Sequence, residues 1–351
     1  MTAMATVSSS ITGYSLKELH KQVILCLKAN RMPMIWGSPA IGKSSLVHQI
    51  ATEFRLQVID MRLSQCEPTD LLGFPQIDKE SGRAFYAPMD TFPLVGDPLP
   101  EGKQGWLLFL DELSSANRSV QAAAYKLILD RMVGQHRLHP KVVIVGAGNQ
   151  AEDGAIVEDM STALGSRMIH FTAVLNQKNW LEWAMQKGID HRVISYINYR
   201  PDSLYMFDPA SFDKTYPAPR TWEMVHDLIT ANDRVLDRSI EPAIAGAITP
   251  GVAAEFLIFN DIYKDLVTVE EILRGPEQAR VPFEPMALFA LTGTLSHHMN
   301  PDNAPSLFTY LKRLPIEFQV ITLRQALVRQ PALKANPEVQ QWIVTNANEL
   351  F

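Results

Sequence analysis

The chain has 351 residues, enough to bury a full core and make two or three structural units, with ordinary hydrophobic content and a formal charge of −6. That balance argues against a broad nucleic-acid-coating surface and leaves room for a locally basic pore. No apolar run approaches the roughly 18–20 residues that cross a bilayer, the first ten residues show no leader pattern, and Cys26 and Cys66 lie far apart with no CxxC or Cys/His cluster, so the expectation is a soluble cytoplasmic protein with buried thiols.

Residues 1–13 read as a loose lead. Ser15 and Glu18 then form a capping box, and Leu16, Leu19, Val23, Ile24 and Leu27 make an apolar stripe, so a helix is expected over 16–28. Met32 to Trp36 reads as a strand. It feeds Gly37-Ser38-Pro39-Ala40-Ile41-Gly42-Lys43-Ser44, which matches the phosphate-loop pattern G-x-x-x-x-G-K-[ST] at every fixed position. Behind it Leu46, Val47, Ile50 and Phe54 recur at helical spacing. Strand, glycine loop and helix N-terminus together turn backbone N–H groups toward one point that favours phosphate. Lys43 would reach the β- and γ-phosphates, and Ser44 would take a Mg²⁺ position. The candidate nucleotide-binding residues run from Gly37 through Ser38, Pro39, Ala40, Ile41, Gly42, Lys43 and Ser44 to Ser45.

Val58 to Leu63 reads as a second strand, leading into Glu67-Pro68-Thr69-Asp70-Leu71-Leu72-Gly73. Residues 76–104 hold scattered Pro, Gly and charge with Phe85, Tyr86 and Phe92. They read as a long, weakly structured segment, either functional or a surface excursion with a hairpin. Trp106 to Leu110 is continuously apolar, as suits a strand buried on both faces of a parallel sheet. It ends in Asp111 and Glu112, at the strand end where open α/β sheets bind ligands. Asp111 would hold Mg²⁺, and Glu112 would orient and polarise the attacking water. A helix is expected over Val120–Met132 and a buried strand over Val142–Val145. Asn149 follows that strand, placed to hydrogen-bond a γ-phosphate or the lytic water. Leu164 to Phe171 runs from a helix end into a last strand.

From about residue 173 the pattern turns helical, with helices expected over Asn176–Lys187, His191–Tyr199 and from Pro219 onward. Residues 240–351 read as helices broken near 249–251, 275–285 and 300–305. Asp190-His191 and His297-His298 are too sparse for a metal site and read as solvated or packed histidines.

Together these landmarks resemble an AAA+ ATPase over residues 14 to about 235, and more narrowly its MoxR-like branch. The resemblance rests on the phosphate loop, on Leu110-Asp111-Glu112, and on Asn149 in the sensor 1 position. It also rests on Ser166-Arg167 in the arginine-finger position and Pro219-Arg220 in the sensor 2 position. The Thr69-Asp70-Leu71-Leu72-Gly73 segment marks the branch, and an insertion in the following helix and a hairpin before sensor 1, at about Val133–Pro140, suit it. Ala40 departs from the family's usual glycine without removing a phosphate ligand, and Gln150 replaces a frequent proline. The fold so implied is an α/β P-loop core, a parallel sheet between helices, over 1–172. A helical lid over 173–240 and a helical C-terminal extension over 241–351 would follow.

The resemblance further implies a ring, usually hexameric, hydrolysing ATP with Mg²⁺ at subunit interfaces. Lys43, Ser44, Asp111, Glu112 and Asn149 would act within one subunit, and Arg167 would act on the neighbour's γ-phosphate. Arg220 would couple nucleotide state to lid angle, with Arg131 and Arg118 as fallback intersubunit arginines. The leading function is a MoxR-like chaperone or remodeller of protein complexes, working with a von Willebrand factor A-type partner on a protein client. Residues 76–104, with Lys79, Arg83, Phe85 and Tyr86, are the candidate grip. Alternatives are a motor on nucleic acid, which the net charge disfavours, and a nucleotide-gated scaffold without turnover, which Glu112, Asn149 and Arg167 disfavour. A small-molecule kinase would not need the sensor and finger positions.

Overall fold

A computed structural model describes residues 13–150 and 160–346; the loose lead expected over 1–13 lies outside these apart from Gly13. The chain divides into two compact units, residues 1–176 and 177–351.

The first unit opens with a two-residue strand, β1 (Gly13–Tyr14), and helix α1 (Leu16–Lys28), whose limits are those the apolar stripe predicts. The Ser15 hydroxyl accepts from the Glu18 amide at 3.3 Å, and the Glu18 carboxylate accepts from the Ser15 amide at 2.8 Å. This reciprocal cap satisfies two otherwise unpaired N–H groups. Then follow β2 (Met32–Trp36), α2 (Lys43–Glu53), β3 (Leu56–Arg62), α3 (Pro68–Leu72), β4 (Phe74–Ile77), β5 (Ala84–Ala87) and β6 (Gly105–Asp111). The unit continues with α4 (Arg118–Leu129), β7 (Met132–Val133), β8 (His136–Arg137), β9 (Val142–Gly148), α5 (Thr162–Gly165) and β10 (Met168–Ala173).

Six strands form one sheet in the order β1-β10-β2-β9-β6-β3, every pairing parallel. Burial explains the order. The apolar strand β6 is buried from Gly105 to Leu110 and lies inside, between β9 and β3. Strand β3 carries exposed Gln57, Asp60 and Arg62 and takes the edge. Helix α4 covers one face, with Val120, Ala124 and Leu127 in the same core as Leu108, Leu110 and Ile144. It stops at Leu129, short of the expected Met132, because Arg131 adopts a left-handed backbone (φ 54°) and turns the chain into the β7–β8 hairpin.

The segment expected to be weakly structured resolves into two parts. Its first part is the antiparallel hairpin β4–β5, whose Phe74 and Ile77 are exposed. Gly73 enters it with φ 93°, and a Cβ there would run into the Ala87 carbonyl, so this turn requires glycine. The second part is tied down by buried Phe92 and a bridge between Leu94 and Leu138. Cys26 is buried as expected, whereas Cys66 is only half-buried, beside the Arg62 carbonyl.

The second unit is helical: α6 (Gln177–Lys187), α7 (His191–Tyr199), α8 (Pro219–Ala231), α9 (Glu241–Ile248), α10 (Pro250–Asp261), α11 (Val269–Arg274), α12 (Pro285–His298), α13 (Ala304–Leu311), α14 (Ile316–Arg329) and α15 (Pro337–Thr345). Helix α7 packs on α12 and α6 on α14, so helices from both sides of residue 240 build it together. Tyr196, Trp222 and Phe256 form an aromatic centre with edge-on and tilted rings. No helix among the described residues is long and apolar enough to cross a membrane.

Of the histidines read as solvated or packed, His191 and His297 are packed and His298 is exposed. His191 stacks on His297 with centroids 4.6 Å apart. Burial, outweighing the attraction of Asp190, pushes His191 from 6.5 down to about 3. Burial works to raise Asp190, but two hydrogen bonds from the Arg192 guanidinium (2.9 and 2.8 Å) and its charge prevail and hold it at about 2. The unfolded chain therefore binds more protons than the folded one between pH 6.5 and 3 at His191, and between 3.8 and 2 at Asp190. Both groups make stability fall as pH falls. The melting temperature is expected to drop between pH 6.5 and 4, and His191→Phe to flatten much of that slope in thermal melts across the range.

Candidate nucleotide site

The loop joining β2 to α2 holds its shape through backbone geometry that the sequence partly disguises. Gly42 precedes the helix with φ 106°, and Ala40 also has a positive φ, 63°. A side chain in that region costs about 1–2 kcal/mol relative to glycine. Ala40→Gly is therefore expected to stabilise the protein, less the greater freedom that glycine gains in the unfolded chain. The net gain should be about 0.5–1 kcal/mol in urea titrations, with ATP affinity little changed because no phosphate contact is removed.

Helix α2 has no side-chain cap, and the first N–H groups of any helix point out of its N-terminus. Such a terminus is suited to an anion. Buried Ile41 anchors the loop, while Ser38, Pro39 and Ala40 are partly exposed and Ser45 is exposed. Lys43 is itself buried, 8 % exposed, and its ammonium donates to Gly37 O at 2.6 Å, Ser38 O at 3.0 Å and Asn149 Oδ1 at 2.9 Å.

The sheet order brings the remaining residues to this point. Strand β9 lies beside β2 and β6 beside β9, all parallel, so Asn149 and Asp111, at their C-terminal ends, converge on the loop. The Ser44 hydroxyl donates to Asp111 Oδ2 at 3.4 Å. Burial raises Asp111 above the ordinary carboxylate range, partly offset by the Glu112 amide on Oδ1 at 2.9 Å and the Lys43 charge. A hydroxyl and a carboxylate side by side form a hard oxygen donor pair that fits Mg²⁺. Among the described residues no group of three or more His, Cys, Asp or Glu could hold a metal, so such an ion would draw its other ligands from phosphate and water.

Glu112 has φ 55°, which turns the chain sharply after β6. Its carboxylate Oε2 accepts from the Ser64 hydroxyl. Ser64 is a site residue that motif reading missed. Its signal was a hydroxyl two residues beyond Arg62, and β3 pairs Arg62 with Asp111. Ser114 likewise braces the site, its hydroxyl donating to Asn149 O at 3.3 Å.

Lys43, Ser44, Asp111, Glu112 and Asn149 thus form one cluster, and Arg167 stands elsewhere in the same unit. Arg167 precedes β10, level with Arg31 at the opposite edge of the sheet. Its guanidinium is exposed, donates to Ala163 O at 2.6 Å, and lies 5.3 Å from the Tyr125 ring centre. Arg131 is committed inside its own subunit, donating to Val142 O and, at 3.4 Å, to Asn30. Arg118 is exposed at the first position of α4. Arg220 belongs to the other unit, exposed on the first turn of α8 behind Pro219.

Residues 33–173 match the family model described as the ATPase family associated with various cellular activities (AAA). No curated protein matches the chain. Among solved structures, NtrX from Brucella abortus is similar at 14% identity over 86% of this chain and 64% of that one, with a TM-score of 0.40. RuvB from Thermotoga maritima is similar at 17% identity over 85% of this chain and 88% of that one, with a TM-score of 0.38. The family match spans strands β2 to β10 and the phosphate loop between β2 and α2, so residues 33–173 are similar to the nucleotide-binding domain of AAA ATPases.

Proposed function

We propose that the protein is a ring-forming, Mg²⁺-dependent ATPase of the MoxR-like kind that remodels protein complexes with a von Willebrand factor A-type partner. The observation that carries the ring is the separation of Arg167 from its own site. Arg167 is level with Arg31, six residues before Gly37 along β2, or roughly 20 Å at about 3.3 Å per strand residue. An exposed arginine at that edge is placed to serve the site of a neighbouring copy, in a closed hexamer.

In this reading the loop amides and Lys43 bind and orient the triphosphate, with Ser44 and Asp111 holding the metal. Bound Mg²⁺ would supply charge neutralisation at the phosphate oxygens. Glu112, aimed by Ser64, orients the attacking water and accepts its proton, and Asn149 fixes the γ-phosphate end. Arg167 of the neighbouring copy stabilises charge developing in the transition state. Arg220, on the helical lid over 173–240, transmits nucleotide state to lid angle.

The MoxR-like assignment is supported by Asp70-Leu71-Leu72-Gly73 leading into the β4–β5 hairpin, and by the β7–β8 hairpin before β9. The β4–β5 hairpin, with exposed Phe74, Ile77 and Tyr86 and the cations Lys79 and Arg83, is the proposed grip on client or partner. Its test is a trap. Glu112→Gln protein purified from its native host with ATP should retain a partner carrying a metal-ion-dependent adhesion motif. Nuclease-sensitive material with no protein partner would overturn the remodelling role in favour of a motor on nucleic acid.

A further inference from the structure

The phosphate loop and the arginine at the far edge of the sheet are linked by two side chains, Trp36 and His170. Trp36 is the last residue of β2 and is bonded directly to Gly37, whose carbonyl accepts from Lys43. Its indole N–H can only donate, and it donates to His170 Nδ1 at 2.9 Å. The two ring planes lie 16° apart, which suits a bond made in the plane of both rings. The imidazole proton therefore sits on Nε2, which stands 2.7 Å from Gly165 O and donates to it. Gly165 is the last residue of α5, and Arg167 follows two residues later.

Strand register explains how the link forms. Trp36 pairs with Thr172 and Met34 with His170 on the neighbouring parallel strand. Residues two apart share a face, so Trp36 and His170 lie on one side of the sheet and meet diagonally. The bond from His170 to Gly165 then carries the connection down to the opposite edge. A hydrogen-bonded imidazole with a donor on one side and an acceptor on the other has a set orientation, which a phenyl ring of similar size would lack.

We infer that His170 is a positioning residue for Arg167, setting the end of α5 from which the guanidinium projects and tying it through Trp36 to the phosphate loop of the same subunit. The inference rests on the reading that Arg167 serves a neighbouring copy. His170 touches neither nucleotide nor metal and acts only through the Gly165 carbonyl. A displacement of the loop would move Trp36, then His170, then the finger offered to the next subunit.

The experiment uses full-length chains and steady-state ATPase measurements. His170→Phe keeps a ring and removes both bonds; Trp36→Phe removes only the donor and guards against a folding defect in the first variant. Each is expected to lower kcat by about 10- to 100-fold, as small misplacements of a group acting on the transition state do, with the KM for ATP nearly unchanged. Mixed with Glu112→Gln subunits, which hydrolyse only slowly but carry an intact finger, His170→Phe should recover activity above either parent, as Arg167→Ala should. Recovery of Arg167→Ala without recovery of His170→Phe would overturn the positioning role alone. Failure of Arg167→Ala to recover would overturn the trans role of Arg167 and this inference with it. Wild-type kcat in both aromatic variants would also overturn it.

Discussion

Arg167→Ala is expected to lower kcat by roughly 10³–10⁵, the range over which arginine fingers act in nucleotide hydrolysis, while ATP still binds. The two effects separate because the residues proposed to hold nucleotide are all in another place. Lys43 is joined to Asn149 at 2.9 Å and Ser44 to Asp111 at 3.4 Å at the C-terminal edge of the sheet, and Arg167 stands before the first residue of β10 at the other edge. Its partners are local, Ala163 O, Ser166 and the face of Tyr125, so its loss leaves no buried charge stranded. Nucleotide binding by fluorescence or calorimetry should therefore stay close to wild type. A tenfold loss of affinity with unchanged kcat would instead show that Arg167 binds substrate and does not stabilise the transition state.

Glu112→Gln should bind ATP and hydrolyse it about 10²–10⁴ times more slowly, the range lost with a general base. The amide keeps the shape of the carboxylate and can still accept from Ser64, but it cannot take a proton from water. The positive φ of Glu112 is a backbone property that Gln shares, so the turn after β6 and the placement of Asp111 should survive. Single-turnover assays separate the steps. Tight ATP binding with slow phosphate release is the expected pattern, and the same stalled state makes this variant suitable for capturing a client.

The sequence by itself determined the local elements and the motif. The capping box at Ser15 and Glu18 set the start of α1. Apolar continuity set β2 and β6, and the breaks near 249–251, 275–285 and 300–305 reappear between helices α9 to α13. These features are legible because capping, periodicity and turn chemistry act over a few residues. The phosphate loop was legible for the same reason, its residues being contiguous.

Only the tertiary structure decided what is distant along the chain. Lys43 meets Asn149 across 106 residues and Ser44 meets Asp111 across 67, and strand order alone brings them together. Ser64 became a partner of Glu112 because β3 lies against β6. His170, unremarkable as a lone histidine, gained two opposed hydrogen bonds only where β10 lies beside β2. The burial of His191, stacked on His297 from a helix far away in sequence, was equally invisible, although that burial drives the expected acid sensitivity. Helix α4 ended early because Arg131 turns left-handed while its guanidinium binds the Val142 carbonyl. Periodicity records which face of an element is apolar; which other element covers that face depends on the packing of the whole sheet.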